Sequence, residues 1–182
     1  MRFDTMYKNG HIGLALLFAA PFALLFGILF GPHWGVLTLV FSFTTARVPD
    51  MDQRLKILTH RGFTHTIWFA LVVSVAMGSL VTQLVSILEF NTIGNGEFLS
   101  CLVADIPTLL LATFGFMLGF ISHLVGDILT EAYDYTINPY WPISNKPYTL
   151  GWATADSRLW NWGLLLCGSV SAGAVLFLIA LS

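Results

Sequence analysis

Charge is scarce in this sequence. Asp, Glu, Lys and Arg make up 10% of its 182 residues, against about 25% in soluble domains, which excludes an ordinary globular protein with a solvated surface. A net charge of −2 offers no basic field for bulk nucleic-acid binding. Cysteine is almost absent: Cys101 and Cys167 stand in unrelated contexts, without C-x-x-C or similar metal spacing. Both read as packing residues. What the chain does have is apolar residues, 56% of the total. A single all-α integral membrane bundle over residues 1–182 follows, because about 20 residues per span leave little chain for a second domain.

Five hydrophobic runs give candidate spans at about residues 13–30, 34–46, 67–88, 107–125 and 161–181. Pro21 marks an expected kink in the first. The second stops at Arg47-Val48-Pro49-Asp50 and is short. It reads as a tilted span or as a shorter helix whose inner end is buried among its neighbours. Met1–Lys8 before Ala-Ala-Pro-Phe-Ala also has the outline of a signal peptide, but the run is long for that and the charge pattern needs all five runs.

The cations set the orientation. Arg2 and Lys8 precede the first run, Arg47, Arg54, Lys56 and Arg61 lie between the second and third, and Lys146 and Arg158 lie between the fourth and fifth. The other connections carry none, and that between the third and fourth runs carries Glu89, Glu97 and Asp105. The positive-inside rule then puts the N-terminus in the cytoplasm and the C-terminus outside, in a plasma (inner) membrane. Trp68, Trp141, Trp152, Trp160, Trp162 and several tyrosines gather at the cytoplasmic helix ends, where rings with one polar edge favour the headgroup zone. The connection 128–159, interrupted by Pro139, Pro142 and Pro147, is expected to lie against the inner surface. Gly115 and Gly119 form a small-residue stripe for close helix packing, with a comparable pair at Ser169 and Gly173 in the last run.

This threading brings polar residues from four separate segments to one face. His11 opens the first span, and Asp50 and Asp52 follow the second. His60 and His65 flank Gly62 just before the third, where Thr64 is a candidate N-cap. His123 and Asp127 share one face of the fourth span, one turn apart. Ionisable groups at membrane depth are costly and functional by default, whereas His33, on the outer side, reads as an interfacial residue. A mixed imidazole and carboxylate set suits Zn²⁺, Mn²⁺ or Fe²⁺ better than Ca²⁺ or Mg²⁺. Seven candidate ligands leave room for one or two ions, with Zn²⁺ the first expectation.

His60-Arg61-Gly62-Phe63-Thr64-His65, preceded by Pro49-Asp50-x-Asp52 and followed by Gly119-x-x-Ser122-His123-x-x-x-Asp127-x-x-Thr130, resembles the YdjM-like family of predicted membrane-bound metal-dependent hydrolases. The resemblance runs from His11 to about Pro142. It implies a metal hydrolase with His11, Asp50, Asp52, His60, His65, His123 and Asp127 as ligands. The family's Pro-x-Gly after the threonine is replaced here by Glu131-Ala132-Tyr133, which gives Glu131 room for a role of its own.

The expected activity is hydrolysis of an ester or phosphoester at the cytoplasmic interface, on a membrane lipid or small amphipathic substrate. Arg61, with Arg47 or Arg54, would pair with a phosphate, and Glu131 or an unligated carboxylate would act as general base. Two other classes stay open: a metal-ion transporter or channel, and a non-catalytic membrane protein in which metal staples the loops.

Overall fold

The computed structural model describes residues 8–54, 62–93, 98–131 and 136–181. Among the described residues, five α-helices carry the fold: α1 Lys8–Phe30, α2 Pro32–Thr45, α3 Ile67–Ile93, α4 Phe98–Leu129 and α5 Arg158–Leu181. Two 3-10 turns, Pro49–Arg54 and Phe63–His65, lie between α2 and α3, and a two-residue parallel pair joins β1 (Thr130–Glu131) to β2 (Ala153–Thr154). This is an all-α membrane protein. Among the described residues, four helices are long and apolar enough to cross a membrane: α1, α3 over Ile67–Leu88, α4 over Ile106–Leu129, and α5.

The exception, α2, has 14 residues, about 21 Å at ~1.5 Å per residue, against a hydrocarbon core of roughly 30 Å. Gly31 alone connects it to α1. Its φ of 104° is a value that costs glycine little, and Pro32 starts the helix at a position that needs no amide hydrogen. The inner end of α2 is buried at Thr45 and Ala46. The buried inner end accords with a shorter helix packed among its neighbours, where irregular backbone is tolerated because protein surrounds it.

Helices α3 and α4 extend in the other direction, past their apolar runs, to Ile93 and from Phe98. Hydropathy reports contact with lipid, whereas a helix satisfies its own backbone inside or outside the bilayer, so the polar residues after Leu88 end the apolar run and not the helix. Pro21 sits on an exposed face within an unbroken α1.

Small residues set the packing. A Cβ at Gly13 would overlap the Leu164 backbone of α5, one at Gly168 would overlap the Gly13 carbonyl, and one at Gly27 would meet Ile179, so α1 and α5 run side by side in the same direction. On α4, Gly115 faces Phe41, and a Cβ at Gly119 would strike the Ser42 carbonyl and Thr45 Oγ1 of α2. Thr45 Oγ1 also donates to the Phe116 carbonyl at 2.8 Å, and Ser42 Oγ donates to the Ala15 carbonyl of α1 at 3.1 Å. The expected stripe on α4 is a contact surface. That on α5 is not: Ser169 and Gly173 are exposed, with nothing within 4 Å of a Cβ at Gly173, and α5 packs instead through Gly168, Ala172, Val175 and Ile179. Cys167 also faces outward, so it is no packing residue; Cys101 has no described side chain. Apolar side chains such as Ile28, Val72, Leu84 and Phe177 are exposed along the outer faces, as a lipid-facing surface requires.

The connection after β1 is tied to helix ends. Leu150 N donates to the Ile128 carbonyl at 2.6 Å and Trp152 N to that of Leu129 at 2.9 Å, serving carbonyls that α4 cannot satisfy itself, while the first amide of α3, at Ile67, donates to the Pro139 carbonyl at 2.9 Å. The N-cap of α3 is Thr66, whose Oγ1 accepts from Phe69 N at 3.2 Å. Thr64, the candidate from sequence, is engaged elsewhere.

Gly119→Leu is expected to lower stability by about 2 kcal/mol, because overpacking at a close contact forces backbone shifts. Gly173→Leu should leave the melting temperature of the detergent-solubilised protein unchanged, and comparing the two melts checks the assignment.

Candidate metal centre

The helix arrangement brings one end of α1, the turn after α2, the turn before α3 and the last turns of α4 together. His11, His65 and His123 are completely buried, as is the Asp127 carboxylate, while the Asp50 side chain keeps 16% exposure. Among the described members of the cluster facing one another, Asp50 is the one with an exposed side-chain surface. His60 and Arg61 lie outside the described residues; Glu131 is placed only by its backbone, in β1.

Hydrogen bonding decides which imidazole nitrogens face the centre. His123 Nδ1 lies 2.8 Å from the Ala46 carbonyl, which can only accept, so the proton is on Nδ1 and the Nε2 lone pair points inward. Thr64 Oγ1 donates to Asp52 Oδ2 at 2.7 Å and lies 3.0 Å from His65 Nδ1. Having given its proton to Asp52, Thr64 accepts one from His65 Nδ1, which turns that ring's Nε2 inward as well. The two Nε2 atoms are 3.3 Å apart. Asp127 Oδ2 is 3.4 Å from that of His65 and 3.3 Å from that of His123. Donors about 2.0–2.1 Å from a tetrahedral ion are separated by about 3.3–3.4 Å, so these three atoms stand where ligands of one ion would stand. Asp50 Oδ1, 3.8 Å from both Nε2 atoms, occupies the looser fourth corner.

The electrostatics point the same way. Burial disfavours a charged His65, but the Asp50 and Asp52 carboxylates beside its two nitrogens, together with Asp127, outweigh that and raise its pKa to about 9. Burial pushes the Asp50 carboxyl upward, and the imidazoles of His65, His123 and His11 more than reverse it, leaving it below the usual carboxylate range. The cluster thus concentrates acceptors that call for positive charge. Both ring nitrogens of His11 are buried with no hydrogen-bond partner, an arrangement that costs energy unless something coordinates them. The His/Asp group can hold a metal ion.

A family model described as "YdjM inner membrane protein" matches residues 6–182. The chain belongs to the YdjM inner membrane protein family. The matched stretch includes every described member of the cluster. No curated protein and no solved structure matches this YdjM-family chain.

Among the sequence candidates, the structure brings His11, Asp50, His65, His123 and Asp127 together around one volume. Asp52 lies apart from these, on the Nδ1 side of His65, 3.5 Å away, a position from which a carboxylate can orient an imidazole toward an ion. Two participants had no reading as site members. Thr64 stands in the motif, where its type and place suggest a cap, and the Ala46 carbonyl is backbone and leaves no trace in side-chain chemistry.

Thr64→Val is expected to keep the fold and weaken metal binding by about 10- to 100-fold, the usual effect of losing a group that orients a ligand. Competition with a chromogenic chelator on monodisperse protein measures it. Asp127→Asn should abolish binding in the same assay.

Proposed function

We propose that this YdjM-family protein is a membrane-embedded metal-dependent hydrolase, acting on an ester or phosphoester of a lipid or amphipathic substrate at the cytoplasmic interface. The observation that carries the reading is the set of three close donors, His65 Nε2, His123 Nε2 and Asp127 Oδ2, with the partly exposed Asp50 beside them. Three close ligands, with the fourth corner held only by the longer and partly exposed Asp50, leave a position that water or substrate can share, as in catalytic zinc sites and unlike closed structural ones. Zn²⁺ is the first assignment, ahead of Mn²⁺ and Fe²⁺.

A divalent ion supplies there a Lewis acid that polarises the scissile oxygen and lowers the pKa of water. The chain's own residues do the rest. The Ala46 carbonyl and the Thr64–Asp52 pair hold both imidazoles in the tautomer that presents Nε2. Glu131, four residues beyond Asp127 and held by β1 pairing, is assigned as proton acceptor. Arg47 is exposed next to Ala46 and, with Arg61, supplies guanidinium groups for a phosphate.

The position of the cluster also favours this reading over transport. His11 is three residues from the start of α1 and Asp127 two from the end of α4, while a transporter site is expected near the midplane. The clustered Lys and Arg residues support a cytoplasmic location for this end. A reporter fused after Ser182 and active only outside the cytoplasm is expected to be active; one active only inside would reverse the orientation.

Purified protein supplied with Zn²⁺, Mn²⁺ or Fe²⁺ in turn is expected to release fatty acid or phosphorylated head group from phospholipid vesicles, with Asp127→Asn inactive. Bound metal without turnover of any phospholipid or simple phosphoester would overturn the hydrolase and leave the structural metal reading. Metal uptake into proteoliposomes, lost in Asp127→Asn, would establish the transporter instead.

A further inference from the structure

Each of the two central carboxylates divides its oxygens between different imidazoles. Asp127 Oδ2 faces His65 and His123, while Asp127 Oδ1 is 3.7 Å from His11 Nε2. Asp50 Oδ1 faces His65 and His123 at 3.8 Å, while Asp50 Oδ2 is 3.9 Å from His11 Nε2. His11 and His123 are stacked, with ring centroids 4.0 Å apart and planes 18° from parallel. Their Nε2 edges face the same carboxylate pair from side-by-side positions. One ion held by His65 and His123 leaves His11 a full ring spacing away, fully buried and without a hydrogen bond on either nitrogen.

We infer that the centre holds two divalent ions, bridged by Asp50 and Asp127. One ion takes His65 Nε2, His123 Nε2, Asp127 Oδ2 and Asp50 Oδ1; the other takes His11 Nε2, Asp127 Oδ1 and Asp50 Oδ2. The 4.0 Å ring spacing agrees with the separation of roughly 3.5–4 Å found in two-metal sites, whose common substrates are phosphate esters. The second position has the smaller set of protein donors and is therefore the weaker. This inference rests on the metal-binding part of the proposed function and narrows its substrate class to phosphoesters.

The test uses Mn²⁺ alone as probe on the intact detergent-purified chain, with bound metal counted by mass spectrometry and spin coupling read by low-temperature electron paramagnetic resonance. Two ions per chain with a coupled spectrum are expected in the wild type. His11→Ala, or His11→Gln if the alanine variant is not monodisperse, should bind one ion with an isolated six-line spectrum. One ion in the wild type overturns the bridged pair while leaving the proposed hydrolase standing, and so does a second ion that both His11 variants retain. An uncoupled pair overturns the bridging. No binding at all removes the metal reading itself, a different failure from the loss of the second ion.

Discussion

A carbonyl oxygen cannot donate a hydrogen bond, and the cluster is organised around that fact. The Ala46 carbonyl faces His123 Nδ1 and so commits the other nitrogen to the interior, opposite the inward nitrogen of His65. Two buried imidazole edges directed at each other beside carboxylates form an arrangement that positive charge must stabilise. The carbonyl is available because α2 stops where it does. Had that helix run on for another two turns, Ala46 would have spent its carbonyl on an intrahelical bond.

The shortness of α2 is in turn made possible by small residues. Gly119 lets the Ser42–Thr45 turn come against α4, and the Thr45 hydroxyl reaches the Phe116 carbonyl across the contact. Ser42 fastens the other side to α1. The end of α2 is thereby wedged between the two helices that carry His11, His123 and Asp127. Backbone that would be unacceptable against lipid becomes a source of hydrogen-bond acceptors for the site.

Most of the site was legible in the sequence because its members are ionisable residues where such residues are expensive. His11, Asp50, His65, His123 and Asp127 needed only a helix count and a direction to be placed together. The division of labour among them was not legible. Asp50 and Asp52 are one residue apart and chemically identical, and only the position of the Thr64 hydroxyl separates the one facing the centre from the one behind His65. The span pattern was readable for α1, α3, α4 and α5, where hydropathy tracks lipid contact. It misjudged the facing of α5, since Ser169 and Gly173 are as small as Gly168 and Ala172, and composition alone does not choose between neighbouring stripes.

The tight backbone contact between Gly13 and Gly168 joins the first helix to the last. During synthesis α1 precedes its partner by three helices, so α5 emerges from the ribosome only after α2, α3 and α4. Until then the Gly13 face lacks the α5 backbone that packs on it, while α2 and α4 are already made. Contacts between chain ends are slow to form because a long loop must close first. Completion of the bundle around His11 is therefore a late event in the life of the nascent chain, and truncation within α5 removes support from a histidine some 150 residues upstream.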